Sequence, residues 1–323
     1  MALVFLSYLI FAFGFVLLVA GADWLIKGSS SLAKKFGLSE IVIGLTIVAF
    51  GTSAPELVVN IVSSLHGSGE LVVGNIIGSN IANIALVLGL AGLIAPLAIE
   101  KNLVRKDIPL GILGVGAIYF LAVKNSGAFV LGRFAGVILI LGFVIFLWLI
   151  YRSVQNKKSE STTIAAIIEQ EKLSLGRALF FAVSGLAALT IGGQSVVSSA
   201  TEIARTLGVS EKLIGLTLVA VGTSLPELVT SVVAVWKKKV DLAIGNVIGS
   251  NVFNVFWVLG ASALINPIHF AANATTDLLV LTGLSLILLT ASFIGKKYTL
   301  ERWQATILLT SYCGYIGFII WRG

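Results

Sequence analysis

Two glutamates carry the strongest chemical signal in the sequence. Glu56 closes the run Gly51-Thr52-Ser53-Ala54-Pro55-Glu56, and Glu227 closes Gly222-Thr223-Ser224-Leu225-Pro226-Glu227. Both fall near the middle of long apolar stretches, where a carboxylate costs at least about 2.5–3.5 kcal/mol to place in a bilayer. An acid kept there is functional unless a Lys or Arg neutralises it. No basic residue occurs in the apolar stretches that hold the two motifs, nor in the stretches that follow them. Thr52 and Glu56 are four apart, as are Thr223 and Glu227, so helical spacing sets each pair of side chains on one face. Each proline lacks an N–H and its ring clashes with the carbonyl four residues back. The helix is therefore expected to break or kink between the Gly and the Glu. The carbonyls of 49–51 and 220–222 then turn toward the interior, where irregular backbone survives only against protein or a polar cavity.

The next apolar stretches add Gly78-Ser79-Asn80 with Asn83, and Gly249-Ser250-Asn251 with Asn254. Ser79 and Asn83 share a helix face, as do Ser250 and Asn254. These four are read as ligands because they lie level with the glutamates. Asn80 and Asn251 suit ligand duty and polar packing between helices equally. Carboxylates, hydroxyls, amide oxygens and carbonyls form an all-oxygen set, which suits hard cations such as Ca²⁺ and Na⁺. Two carboxylates supply a charge of −2, matching one Ca²⁺, which takes about 6–8 oxygens. Without a cation, two adjacent ionised glutamates are strongly disfavoured in a low-dielectric site. Such a carrier resists changing sides when empty and changes sides when loaded, which gives obligatory exchange rather than leak. A channel would pass one ion without a counter-ion.

The elements that must hold these groups are membrane helices. Of the 323 residues, 57% are hydrophobic, 11% are charged, and 34 more are glycine. Soluble domains carry about 25% charged residues, so the chain is an integral membrane protein. The formal charge of +7 is read as a marker of topology, not of nucleic-acid binding. The single cysteine, Cys313, excludes an intramolecular disulfide framework and a cysteine metal cluster. Residues 1–22 lack a basic n-region and are too long an apolar run for a signal peptide. Apolar runs predict ten spans near 3–26, 41–65, 71–95, 108–123, 128–151, 175–200, 213–236, 242–265, 278–295 and 303–321. With this count, 17 of the 22 Lys and Arg residues fall on one side. The positive-inside rule makes that side cytoplasmic and places both termini outside a cell (inner) membrane.

The two halves repeat at a constant offset of 171. Residues 21–96 match 192–267 at 33 of 76 ungapped positions, with Gly, Pro, Asn and Glu in register. Five spans separate each residue from its counterpart. Five is odd, so equivalent helices enter from opposite faces, as in many secondary transporters. The expected fold is an all-α polytopic membrane protein of ten transmembrane helices in two inverted five-helix repeats. Its units are 1–151, a polar cytoplasmic linker at 152–174, and 175–323.

The doubled GTS-x-PE and GN-x-x-GSN segments resemble the two α-repeats of the cation/Ca²⁺ exchanger superfamily, with the prokaryotic Na⁺/Ca²⁺ exchangers as the nearest likeness. The resemblance covers essentially the whole chain. It implies that Thr52, Glu56, Thr223 and Glu227 hold Ca²⁺. It also implies flanking Na⁺ sites at the Ala49 carbonyl, Ser53 and Ser79, and at the Ala220 carbonyl, Ser224 and Ser250, with Asn83 and Asn254 in a middle position. It further implies that the first and sixth helices slide against an eight-helix core. Some relatives, including K⁺-dependent exchangers, carry Asp where this chain has Asn254, which argues against K⁺ co-transport. Animal exchangers place Ca²⁺-sensing domains in the central loop, and this linker is too short for them. The H⁺/Ca²⁺ branch usually carries a different motif, which leaves proton coupling to Ca²⁺ or another divalent cation as the alternative.

No cofactor is expected, and Ca²⁺ and Na⁺ are substrates. Membrane lipid is the expected surrounding partner, nucleic acid is not, and a monomer is the expected transporting unit. Enzyme activity is not expected, because no activated nucleophile appears. Asp23 and Lys27, four apart, are expected to form a local ion pair. His66 and His269 are expected at the surface, and Trp24, Trp236, Trp303 and Trp321 at the membrane interface. Lys237–Lys239 is read as a topology determinant.

Overall fold

The computed structural model describes residues 2–125, 128–160, 173–209, 214, 220–270 and 274–322. Most of the expected linker, Lys172, Lys212 and nearly all of 210–219 lie outside these. Eleven helices are named here among the described residues. They are α1 (Ala2–Phe36), α2 (Glu40–Thr52), α3 (Ala54–Leu65), α4 (Gly69–Ile94), α5 (Ile108–Leu121) and α6 (Arg133–Glu160). The second half has α7 (Leu175–Thr206), α8 (Leu225–Trp236), α9 (Val240–Ile265), α10 (Ala274–Ala291) and α11 (Arg302–Arg322). Each of the ten expected spans is largely helical in its described part. Seven of these helices are long and apolar enough to cross a membrane, and the bent pair α2–α3 makes an eighth candidate.

Several boundaries differ from expectation. Helix α1 runs to Phe36, ten residues past the expected end. The bilayer edge does not stop a helix; here Gly37 does, at φ +65°, with the Leu38 N–H closing on the Ala33 carbonyl. Helix α6 likewise continues to Glu160, into the range expected as linker. The chain is also not purely helical. Strands β1 (Leu97–Ala98) and β5 (Thr299–Leu300) pair antiparallel, and β2 (Ala122–Asn125), β3 (Ala128–Leu131) and β4 (Ile268–Phe270) form a second small sheet. Residues expected as helix at 122–123 and 128–131 are in this sheet, where Phe129 and Val130 pair with Phe270 and His269.

Helices α4 and α9 are the centre of the molecule. About three quarters of each apolar window is buried by protein, 78% and 72%, against 22% for α1 and 33% for α7. Helix α2 packs directly on α9. A Cβ at Gly249 would lie 2.5 Å from the Leu45 carbonyl oxygen, so only glycine permits this approach. Helices α1 and α7 run antiparallel along one side and form a seam of small residues. A Cβ at Gly14, Gly21 or Gly28 would fall within 3.0 Å of α7 atoms around Val196, Leu189 and Ala182 respectively. The seven-residue spacing keeps these glycines on one face. The pair is thereby joined backbone to backbone, while its outer surface carries exposed Phe and Leu side chains such as Phe5, Phe13, Leu179 and Phe180.

Candidate functional site

The proline-induced break falls where the sequence places it. Helices α2 and α3 meet at 46°, with Ser53 at φ −86°, ψ 9°. At the equivalent position Ser224 has φ −87°, ψ 3°, between the helical turn Ala220–Gly222 and α8. Pro55 and Pro226 occupy the first turns of α3 and α8. There the missing N–H costs nothing, because the first turn of a helix has no acceptor for it. Each glutamate sits in that same first turn. The partial positive charge of a helix N-terminus favours a carboxylate there.

Glu56 and Glu227 are fully buried, as are Ser53, Thr52, Ser224, Ser79, Ser250, Asn83 and Asn254, while Thr223 is half-buried. The two halves interlock at this point. Ser53 Oγ donates to Glu227 Oε1 at 2.7 Å, and Ser250 Oγ reaches the same oxygen at 3.5 Å. Ser250 also lies 3.4 Å from the Ala49 carbonyl. Asn254 Nδ2 donates to Ser79 Oγ at 3.2 Å, and Asn83 Nδ2 to Asn251 Oδ1 at 3.0 Å. Asn80 and Asn251 donate reciprocally to each other's carbonyls at 3.4 Å, which makes them the polar joint between α4 and α9. Among the described residues, the backbone of Ala220 belongs to the helical turn before Ser224.

The Ala49 carbonyl, which the break was expected to free toward the interior, is already engaged. It accepts from the Ser53 N–H at 3.0 Å and from Thr52 Oγ1 at 3.3 Å. Both α4 and α9 carry a π-helical segment at the asparagines, over Ala82–Val87 and Phe253–Val258. An inserted residue of this kind changes which side chains face inward and is frequent at functional sites.

Two site residues escaped the sequence reading. Asn246 Oδ1 accepts from Thr52 Oγ1 at 3.0 Å, while its Nδ2 donates to Ser231 Oγ at 3.0 Å and to the Glu227 carbonyl at 3.4 Å. It ties the first motif to the backbone of the second. Asn75 accepts from Thr223 Oγ1 at 3.3 Å. The signal was present: Asn75 and Asn246 also stand 171 apart, in the GN of each GN-x-x-GSN segment.

Several buried oxygens find no hydrogen-bond partner among the described residues. They include both carboxylate oxygens of Glu56, Glu227 Oε2, Ser224 Oγ, Asn83 Oδ1 and Asn254 Oδ1. Buried polar atoms are almost always satisfied, so a concentration of orphans needs a reason. All of these can donate lone pairs, and they come from both halves. A positively charged partner meets that need, and an anion does not.

His66 and His269 are exposed, as expected, and Trp24, Trp236, Trp303 and Trp321 are exposed as well. One local expectation fails. Asp23 pairs with Lys237 rather than with Lys27, whose ammonium instead lies 4.7 Å from the centre of the Phe181 ring. The physical reason is packing: α8 lies along α1.

Comparison with known proteins places this geometry in context. The family described as "Sodium/calcium exchanger protein" matches residues 6–152 and 177–321. The sodium/calcium exchanger MaX1 of Methanosarcina acetivorans is 34% identical, over 96% of this chain and 97% of its own length. The inner membrane protein YrbG of Escherichia coli is 38% identical, over 79% of this chain and 78% of its own. A solved structure of the sodium-calcium exchanger NCX_Mj, soaked with Na⁺ and Sr²⁺, superposes with a TM-score of 0.81 at 32% identity. It covers 97% of this chain and 99% of that one.

Proposed function

Because the chain belongs to the sodium/calcium exchanger family, we propose that this antiporter exchanges Na⁺ for Ca²⁺ by alternating access and moves net charge as it does so. The orphaned oxygens of Glu56, Glu227, Ser224, Asn83 and Asn254 carry this reading. They offer a charge of −2 and a ring of neutral oxygens to a hard cation. Thr52, Glu56, Thr223 and Glu227 hold Ca²⁺. Ser53, Ser79 and the Ala49 carbonyl on one side, and Ser224, Ser250 and the Ala220 carbonyl on the other, take Na⁺, with Asn83 and Asn254 between them.

The driving logic is electrostatic. Two buried carboxylates without a counter-charge are costly, so the protein changes sides only when cations neutralise them. In this reading the chain crosses the membrane ten times, as inverted halves 1–151 and 175–323 joined by the linker 152–174. The linker is cytoplasmic and both termini lie outside. Helices α1 and α7 move as one body against the rest, which their backbone-to-backbone seam favours. The monomer is the working unit.

Liposomes loaded with Na⁺, K⁺ or choline test the proposal directly through uptake of radioactive Ca²⁺. Uptake is expected only with an outward Na⁺ gradient, and it should respond to membrane potential. Uptake that follows a pH gradient alone would replace Na⁺ by H⁺ as the coupling ion. Uptake that ignores potential would remove the electrogenic step.

A further inference from the structure

The equivalent helices α3 and α8 are not equally covered by the rest of the protein, and the difference is written in charge. Val62 and Val233 are identical residues at equivalent positions of α3 and α8, yet Val62 is 47% exposed and Val233 is 6% exposed. Helix α8 is covered because α1 lies along it. At the end of that contact, Asp23 of α1 forms an ion pair with Lys237, the residue that follows α8. Two residues on, Lys239 pairs with Glu40 at the start of α2. Lys238 between them adopts a left-handed conformation, φ 62°. That tight turn holds its two neighbouring lysines against α1 and α2.

The opposite end of the molecule cannot build this clasp. At the offset of 171, Asp23 corresponds to Gln194, Lys237 to His66, and Lys239 to Ser68. The equivalent turn keeps its shape, with Gly67 at φ 72° in the place of Lys238, but it carries no lysine. His66 is exposed and turns back to the Val62 carbonyl of its own helix at 2.8 Å. The clasped end is also the lysine-rich face.

We infer that Asp23 and Lys237 are gating residues: their ion pair latches α1 to α8 and holds the lysine-rich face closed, while Glu40 and Lys239 position the turn that carries Lys237. The pair joins α1, a member of the moving body, to α8, a member of the core, so it must break for that face to open. Glu40 and Lys239 both lie within the core and stay together. The latch biases the carrier toward the state in which the opposite face is open. This inference rests on the alternating-access reading above.

Accessibility tests it without any transport measurement. Val233→Cys is introduced with Cys313→Ser, and the purified full chain is reconstituted in liposomes. Labelling by a membrane-impermeant thiol reagent is then timed at the lysine-rich face with no ion gradient. A partly exposed ion pair shifts a two-state balance by about two- to five-fold. Asp23→Asn or Lys237→Gln should therefore speed labelling of position 233 by about that factor. The exchanged pair Asp23→Lys with Lys237→Asp should bring the rate back. A Val62→Cys probe at the other face should be labelled no faster in either single variant. An unchanged rate at position 233 in both single variants, or failure of the exchanged pair to restore it, overturns the latch. Because no gradient is used, a negative Ca²⁺ uptake assay beside a positive labelling result would sink the transport reading alone.

Discussion

The two GTS-x-PE motifs share their sequence and nearly share their backbone, but not their surroundings. Ser53 and Ser224 differ by only a few degrees in φ and ψ. Ser53 nonetheless donates to the opposite glutamate, while Ser224 Oγ has no partner among the described residues. Among the described residues, Glu227 is bonded through one oxygen and Glu56 through neither. Local sequence thus sets the break, and packing between the halves sets which carboxylate is satisfied. In the proposed alternating-access cycle, near-identical segments held in unequal environments would let each half adopt the other's arrangement at little local cost.

The largest effect should come from the residues the halves share. Glu56→Gln and Glu227→Gln each remove half of the charge offered to a divalent cation. Ca²⁺ uptake into liposomes should fall by about 100-fold or more in either variant, because affinity for a hard cation follows ligand charge. The folded protein should survive, since a neutral amide is cheaper to bury than a carboxylate. Exchange at the unmodified rate in either variant would remove these carboxylates from the site. A large loss in only one would make the site one-sided.

A smaller effect should separate the two serines. Ser53→Ala leaves Glu227 Oε1 without its 2.7 Å donor. That oxygen then keeps the longer 3.5 Å contact from Ser250, and losing the stronger bond to a buried acceptor costs about 1–3 kcal/mol. Ser224→Ala removes a hydroxyl that bonds to no described residue. In thermal unfolding without Ca²⁺ or Na⁺, Ser53→Ala should therefore be clearly less stable than Ser224→Ala. Equal stabilities would mean that the inequality seen between the motifs is not the resting arrangement.

Much of this organisation was legible from residue types. Pro55 and Pro226 fix the breaks, the register of the repeat matches the glutamates, and their depth in apolar runs makes them candidates for function. The partner of Asp23 was not legible, because Lys27 is near in sequence while Lys237 becomes near only through the packing of α1 on α8. The roles of Asn75 and Asn246 were hidden for a similar reason. An asparagine beside a glycine in an apolar helix looks like packing glue until its amide is seen between Thr52 and Ser231. The length of α1 is not legible from apolarity, which marks the bilayer, whereas the helix answers to its own stop signal at Gly37.

The smallest expected effect concerns the two turns. Gly67 and Lys238 occupy equivalent positions with nearly the same left-handed φ, 72° and 62°. For a residue with a Cβ this conformation costs roughly 1–2 kcal/mol, and glycine adopts it freely. Lys238→Gly should therefore relieve strain, partly offset by the greater freedom of glycine in the unfolded chain, for a net gain of about 0.5–1 kcal/mol. Gly67→Ala should lose about 1 kcal/mol. Thermal unfolding of the two variants reads the difference. If Lys238→Gly instead destabilises the protein, the side chain of Lys238 contributes more than the strain costs, and the turn is a three-lysine clasp rather than a two-lysine one. If it stabilises the protein without changing the labelling of position 233, the backbone of the turn, which glycine and lysine both trace, is enough to present Lys237 to Asp23.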